Sequence, residues 1–144
     1  MKTLVFAALL LAAPMAQACP PFGYDPVLMS GWADSVQSSQ RGPLDIANPG
    51  LGHPTHGTPT HTLGAATGDP ADTFSLGDGG SISLGFSGGI WDGPGDDLVV
   101  YENGFFSVEG LFAEFAFVEV SSDGVHFARF SPATCSAART RTTS

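Results

Sequence analysis

From Ser75 to Phe130, apolar and polar residues alternate in short runs, and glycine, asparagine or aspartate closes most of the runs. A period of two sends successive side chains to opposite faces, so such runs fit half-buried strands and not helices. In SISLGF, Ile82, Leu84 and Phe86 alternate with Ser81, Ser83 and Gly85. In FAFVEV, Phe115, Phe117 and Glu119 take one side, and Ala116, Val118 and Val120 take the other. Leu98 to Tyr101 is apolar throughout, the pattern of a central strand covered on both faces. The breaks are Gly77 to Gly80, Ser87 to Gly89, Asp92 to Asp97, Asn103-Gly104 and Ser122-Asp123-Gly124. Asp-Gly tolerates the positive φ of a tight hairpin turn, so Val125, Phe127 and Phe130 are expected to run back along Phe115 to Val120. The chain holds 19 Gly and 11 Pro among 144 residues, too many interruptions for long helices. The expectation is an all-β fold, an antiparallel jelly-roll-like β-sandwich in a single domain over 19–134.

Upstream, the chain changes character twice. Met1 to Ala18 has the layout of a secretory leader: Lys2, then the apolar run Leu4 to Ala13, then Ala16-Gln17-Ala18 as a small-x-small cleavage site. The run is too short to span a bilayer as a helix. Its removal would place the mature chain outside the cytoplasm, secreted or at the cell surface, with no transmembrane segment. Cys19 follows the cut, so lipidation is an alternative fate for it. Outside the cytoplasm Cys19 and Cys135 can oxidise to one bridge, or they stay as two unpaired thiols. Cys19 to Pro26 is Pro-rich, and a first strand is expected near Trp32 to Val36, with Trp32 as a core anchor. Residues 42–68 form a Pro- and His-rich loop carrying His53, His56 and His61. Three histidines at this spacing suit zinc or copper, but the intervening Pro and Gly favour a solvated, flexible loop. After Phe130 the strand pattern stops. Residues 135–144 read as an irregular tail, and a sandwich ending there lacks a closing strand, as a C-terminally truncated chain would.

Charge narrows the partners. Five Lys and Arg stand against 14 Asp and Glu, a formal net charge of −9, and losing Lys2 with the leader makes it more negative. Polyanions are repelled by such a surface, which argues against nucleic acid and anionic membranes and for divalent cations.

SLGDGGSISLGF, DGPGDDLVVYENGF and FAFVEVSSDGVHFARF, in that order, resemble a family of bacterial secreted or cell-surface proteins, many with a PEP-CTERM sorting signal. The likeness spans Trp32 to Phe130. The hairpin VEVSSDGVHFARF is also similar to that of discoidin and other galactose-binding-like domains, which implies a jelly-roll sandwich. Such domains continue into an Arg-bearing strand and, in the surface family, a C-terminal anchor, and this chain has neither.

The best chemical constellation is the acidic turn Asp92-Gly-Pro-Gly-Asp96-Asp97 with Glu102. Calcium takes six to eight oxygens, and a Gly-rich turn can aim carbonyls inward while aspartates supply charge. Asp92, Asp97 and Glu102 are expected to bind calcium, with Asp96 as a further ligand. The alternative is a turn rich in Asp and Gly because turns need them. One copy of a β-roll-like nonapeptide cannot stack, so a β-roll is excluded. Trp91 and Asn103 suit a sugar, a ring for the pyranose face and an amide for hydroxyls, whereas Tyr101 and Phe105 read as core. Glu102, Glu114 and Glu119 could supply a glycosidase acid pair, and His126 with Asp123 part of a serine triad. No nucleophile elbow or nucleotide-binding glycine pattern accompanies them. The sequence therefore points to a non-enzymatic binding or structural module with calcium. A carbohydrate-binding module is the alternative, and a glycoside hydrolase fragment comes third. The ligand would be a surface glycan or another extracellular molecule.

Overall fold

A computed structural model describes residues 2–6, 29–94, 97–102, 105–108, 110–112 and 114–130. Cys19, Cys135, Asp96, Asn103 and the tail at 135–144 lie outside the described residues. Among those described, secondary structure is strand and short 3-10 turns only.

Seven strands form two small sheets: β1 Lys2–Phe6, β2 Ser35–Gln40, β3 Ser81–Gly85, β4 Phe105–Ser107, β5 Gly110–Phe112, β6 Ala116–Val120 and β7 Ala128–Arg129. The larger sheet has the order β2-β3-β1-β6-β7, and β4 pairs with β5 in the smaller. The β2–β3, β6–β7 and β4–β5 pairs are antiparallel. β1 runs parallel to both of its neighbours, so the larger sheet is mixed. That strand comes from the stretch read as the leader.

β3 follows its sequence pattern. Ile82 is 1% exposed and Leu84 3%, while Ser81 and Ser83 on the opposite face stay half-buried. With Ala33, Leu76 and Val120 they make the core, and Val36, Leu63, Phe74, Phe86, Leu98 and Val118 pack around it. This core is aliphatic and narrow. Phe115, Phe127 and Phe130 remain exposed. Burial of an aliphatic side chain is worth about 1.5–3 kcal/mol, so a core this size leaves much of the stability to backbone pairing and polar clasps.

Four expectations shift. The strand expected near Trp32 to Val36 is β2, which starts inside that range at Ser35 and runs past its end to Gln40. Ala33 is drawn into the core, the Asp34 N–H donates to the Gly85 carbonyl, and Trp32 packs on Tyr101 with ring centroids 5.8 Å apart. Leu98 to Tyr101 joins neither sheet, and Val100 and Tyr101 are exposed. The reason lies in the ladder, because both edges of β3 and of β6 already have partners. Tyr101 is thus a surface ring on Trp32 and not a core residue.

The third shift is the hairpin, which opens into a wider loop between β6 and β7. Gly124 has the expected positive φ of 71°. Side chains nearby capture the N–H groups a tight turn would use. Asp123 Oδ1 accepts from Val125 N and His126 N at 2.8 Å each, and Ser121 Oγ accepts from Gly124 N at 2.8 Å.

Fourth, the Pro- and His-rich loop is pinned. Prolines start the 3-10 turns Pro49–Leu51, Pro59–Thr62 and Pro70–Asp72, where a missing N–H costs nothing. Arg41 gathers the loop. Its guanidinium donates to the carbonyls of Pro54 (2.6 Å), Gly57 (2.6 Å), His56 (3.0 Å) and Ser75 (3.0 Å), and it stacks 4.4 Å above the Phe74 ring. Gly57, at φ 69°, lies so close to the Thr73 carbonyl that a Cβ would collide with it.

Candidate functional site

The face of the large sheet opposite Ile82 and Leu84 carries an open groove of about 940 Å³. Its walls follow from strand alternation. Ser81 and Ser83 occupy the β3 positions facing away from the core, and Ser35 and Gln37 come from β2. Glu119 of β6 and the loop after it, with Ser121, Asp123 and Phe127, form the other wall. Serine hydroxyls and the carboxylates of Asp34, Glu119 and Asp123 share the lining with Ile82, Phe86 and Phe127.

Each carboxylate is held in place. Asp34 Oδ2 accepts from Ser87 N at 2.7 Å and its Oδ1 from Ser35 Oγ at 3.1 Å. The Ser87 hydrogen bonds keep the Asp34 pKa below the ordinary carboxylate value. Asp123 takes the hydroxyl of Ser121 at 2.9 Å on Oδ1 and Nδ1 of His126 at 2.7 Å on Oδ2. The His126 hydrogen bond, first among several, puts Asp123 far below the usual range, and the carboxylate in turn raises the His126 pKa. Glu119 Oε1 accepts from Arg129 Nε at 2.7 Å, and Arg129 lies 3.8 Å over the Phe117 ring. Asp34 and Asp123 are therefore ionised at neutral pH and act as fixed acceptors.

The Ser121, Asp123 and His126 cluster is a turn device. Ser121 is 3% exposed, and its hydroxyl donates to the carboxylate that also binds the imidazole. A triad needs that hydroxyl on the other imidazole nitrogen.

The residues singled out from sequence lie elsewhere. Trp91 is 86% exposed and does not line the groove. Asp92 and Asp97 are exposed. Asp97 Oδ1 accepts from Gly93 N at 2.9 Å, and Glu102 Oε1 from Glu114 N at 3.4 Å. Among the described residues, no group of three or more His, Cys, Asp or Glu stands close enough to hold a metal ion. The histidines disperse as well: His53 Nδ1 meets the Gly42 carbonyl at 2.8 Å, and His56 Nε2 meets that of Pro70 at 3.1 Å.

Sequence reasoning passed over Asp34, Arg41 and the serine face of β3. The serines were visible as the polar half of SISLGF, but alternation alone does not distinguish a groove from open solvent. Among the described residues no helix is long and apolar enough to cross a membrane. The chain matches no family model, no curated protein and no solved structure.

Proposed function

We propose that the protein is a secreted or cell-surface binding module, non-enzymatic, built as a jelly-roll-like sandwich of the galactose-binding kind, and that its groove takes a carbohydrate. The observation behind this reading is the groove itself. Serine hydroxyls from β2, β3 and the β6–β7 loop share it with carboxylates fixed by their own hydrogen bonds. Sugar hydroxyls donate and accept at once, so they pair with such a mixture, and Phe127 offers apolar surface for a sugar face. A glycan array with the full chain, run with and without calcium, tests it. Binding should weaken at least about tenfold, or roughly 1.4 kcal/mol, in Ser83→Val and Phe127→Ala variants that keep the wild-type melting temperature. Absence of any glycan bound below about millimolar concentration would remove the reading.

Calcium in the acidic turn is a second proposal, favoured by the exposure of Asp92, Asp97 and Glu102 in a strongly acidic chain. Asp97 and Glu102 each spend one oxygen on a backbone N–H. The described carboxylates do not complete a cage, so Asp96, backbone carbonyls and water must supply the remaining oxygens. Calorimetric titration of the calcium-stripped chain should give saturable heat and a higher melting temperature. With neither, calcium has no structural role.

A further inference from the structure

β1 is the middle strand of the large sheet, and it is the strand a leader peptidase would remove. Its register is parallel on both sides. Leu4 pairs with Ile82 and Val118, and Phe6 with Leu84 and Val120. These four partners belong to the core or pack directly against it. The outer edge of β3 is covered by β2, and that of β6 by β7. Taking away residues 2–6 therefore opens one place only among the described strands. It leaves a gap two strand spacings wide, roughly 9–10 Å, lined on each side by unpaired backbone N–H and C=O groups. Ile82 and Leu84 on one side, and Val118 and Val120 on the other, would lose their register partners at the same time.

We propose that the β3–β6 gap is a strand-accepting slot, which in the processed protein takes an extended apolar segment donated by another polypeptide. The donor runs parallel to β3 and β6, spans about five residues, lacks proline, and places large apolar residues at alternate positions, as Leu4 and Phe6 stand. Main-chain pairing on both sides supplies affinity, and the core positions select the side chains. Before processing, the chain's own first strand holds the slot closed. The inference rests on the export reading, and the slot lies between β3 and β6, the strands that carry the two walls of the groove.

The test starts from the full chain, exported by its host and purified, with its intact mass recorded. Hydrogen exchange at 81–85 and 116–120 is then compared with and without a synthetic peptide of residues 1–8. The same peptide carrying Leu4→Pro is the control. The native peptide should slow exchange in both segments at least about tenfold, saturably, and the proline peptide should not. If the processed chain has lost order, restoration of protection by the native peptide supports the slot, and failure to restore it refutes the slot. Three further results would overturn it. The exported protein could retain residues 2–6. The two segments could be as protected without peptide as in the unprocessed chain, meaning that β3 and β6 pair directly. The native and proline peptides could act alike. Loss of glycan binding would touch none of these readouts.

Discussion

Arg41 offers the sharpest test of how the long loop is held. Four carbonyls converge on one guanidinium, from Pro54, His56, Gly57 and Ser75, and Phe74 lies beneath it. Hydrogen bonds from a charged donor contribute roughly 1.5–3 kcal/mol each, and an exposed cation–π contact about 0.5–1 kcal/mol. The simple sum overshoots, because the site is only partly buried and freed carbonyls regain water. Arg41→Ala is expected to cost about 3–4 kcal/mol. Lysine has three donors and no planar fork, so Arg41→Lys should retain about half of that contribution. With a urea slope of about 2 kcal/mol per molar, the alanine variant's midpoint should fall by roughly 1.5–2 M. The partners are carbonyls, so the loss should change little between roughly 0.1 and 1 M salt. Limited proteolysis should cut first within 42–74. A loss below about 1 kcal/mol, with cleavage unchanged, would show that the loop is held by something else.

Two other outcomes follow from the core and the hairpin. Ile82→Ala should cost about 3–4 kcal/mol in urea unfolding, since nearly all of that side chain is inside, and a loss under about 1 kcal/mol would mean the core lies elsewhere. The Asp123–His126 pair should give a stability maximum between two limits. Asp123, depressed in the fold, contributes above its unfolded value, and this is lost as pH falls through the folded one. His126, raised in the fold, contributes fully below its unfolded value, and this is lost as pH rises through the folded one. In an NMR titration the His126 midpoint should lie above 6.5 and return towards it in Asp123→Asn. An unchanged midpoint would refute the pairing.

Legibility followed the range of the forces involved. The alternation Ile82, Leu84, Phe86 sets a buried face by local geometry, and β3 obeys it at Ile82 and Leu84. Val118 and Val120 behave likewise. Leu98 to Tyr101 has the composition of a central strand, but the places beside β3 and β6 are already taken, a fact about sheet order that no local window contains. The Asp-Gly hairpin was visible, whereas its width was not, because Ser121 and Asp123 compete with the ladder for N–H groups. Arg41 is one cation in a chain with few, and only the fold brings the loop carbonyls of Pro54, His56 and Gly57, and that of Ser75 beyond the loop, to it. The acidic turn stood out in sequence because turns and metal sites share residues. The groove did not, because serines on a strand's polar face look like ordinary solvent contacts.

β3 separates a dry aliphatic layer, with Ile82 and Leu84, from the groove that Ser81 and Ser83 line. Thiol labelling of Ser83→Cys and Leu84→Cys in the full chain, followed by peptide mapping, reads that separation at adjacent positions. The cysteine at 83 should react at least about tenfold faster than the one at 84 under native conditions, and the two should converge in urea. Equal native rates, or faster reaction at 84, would contradict the placement of both the core and the groove.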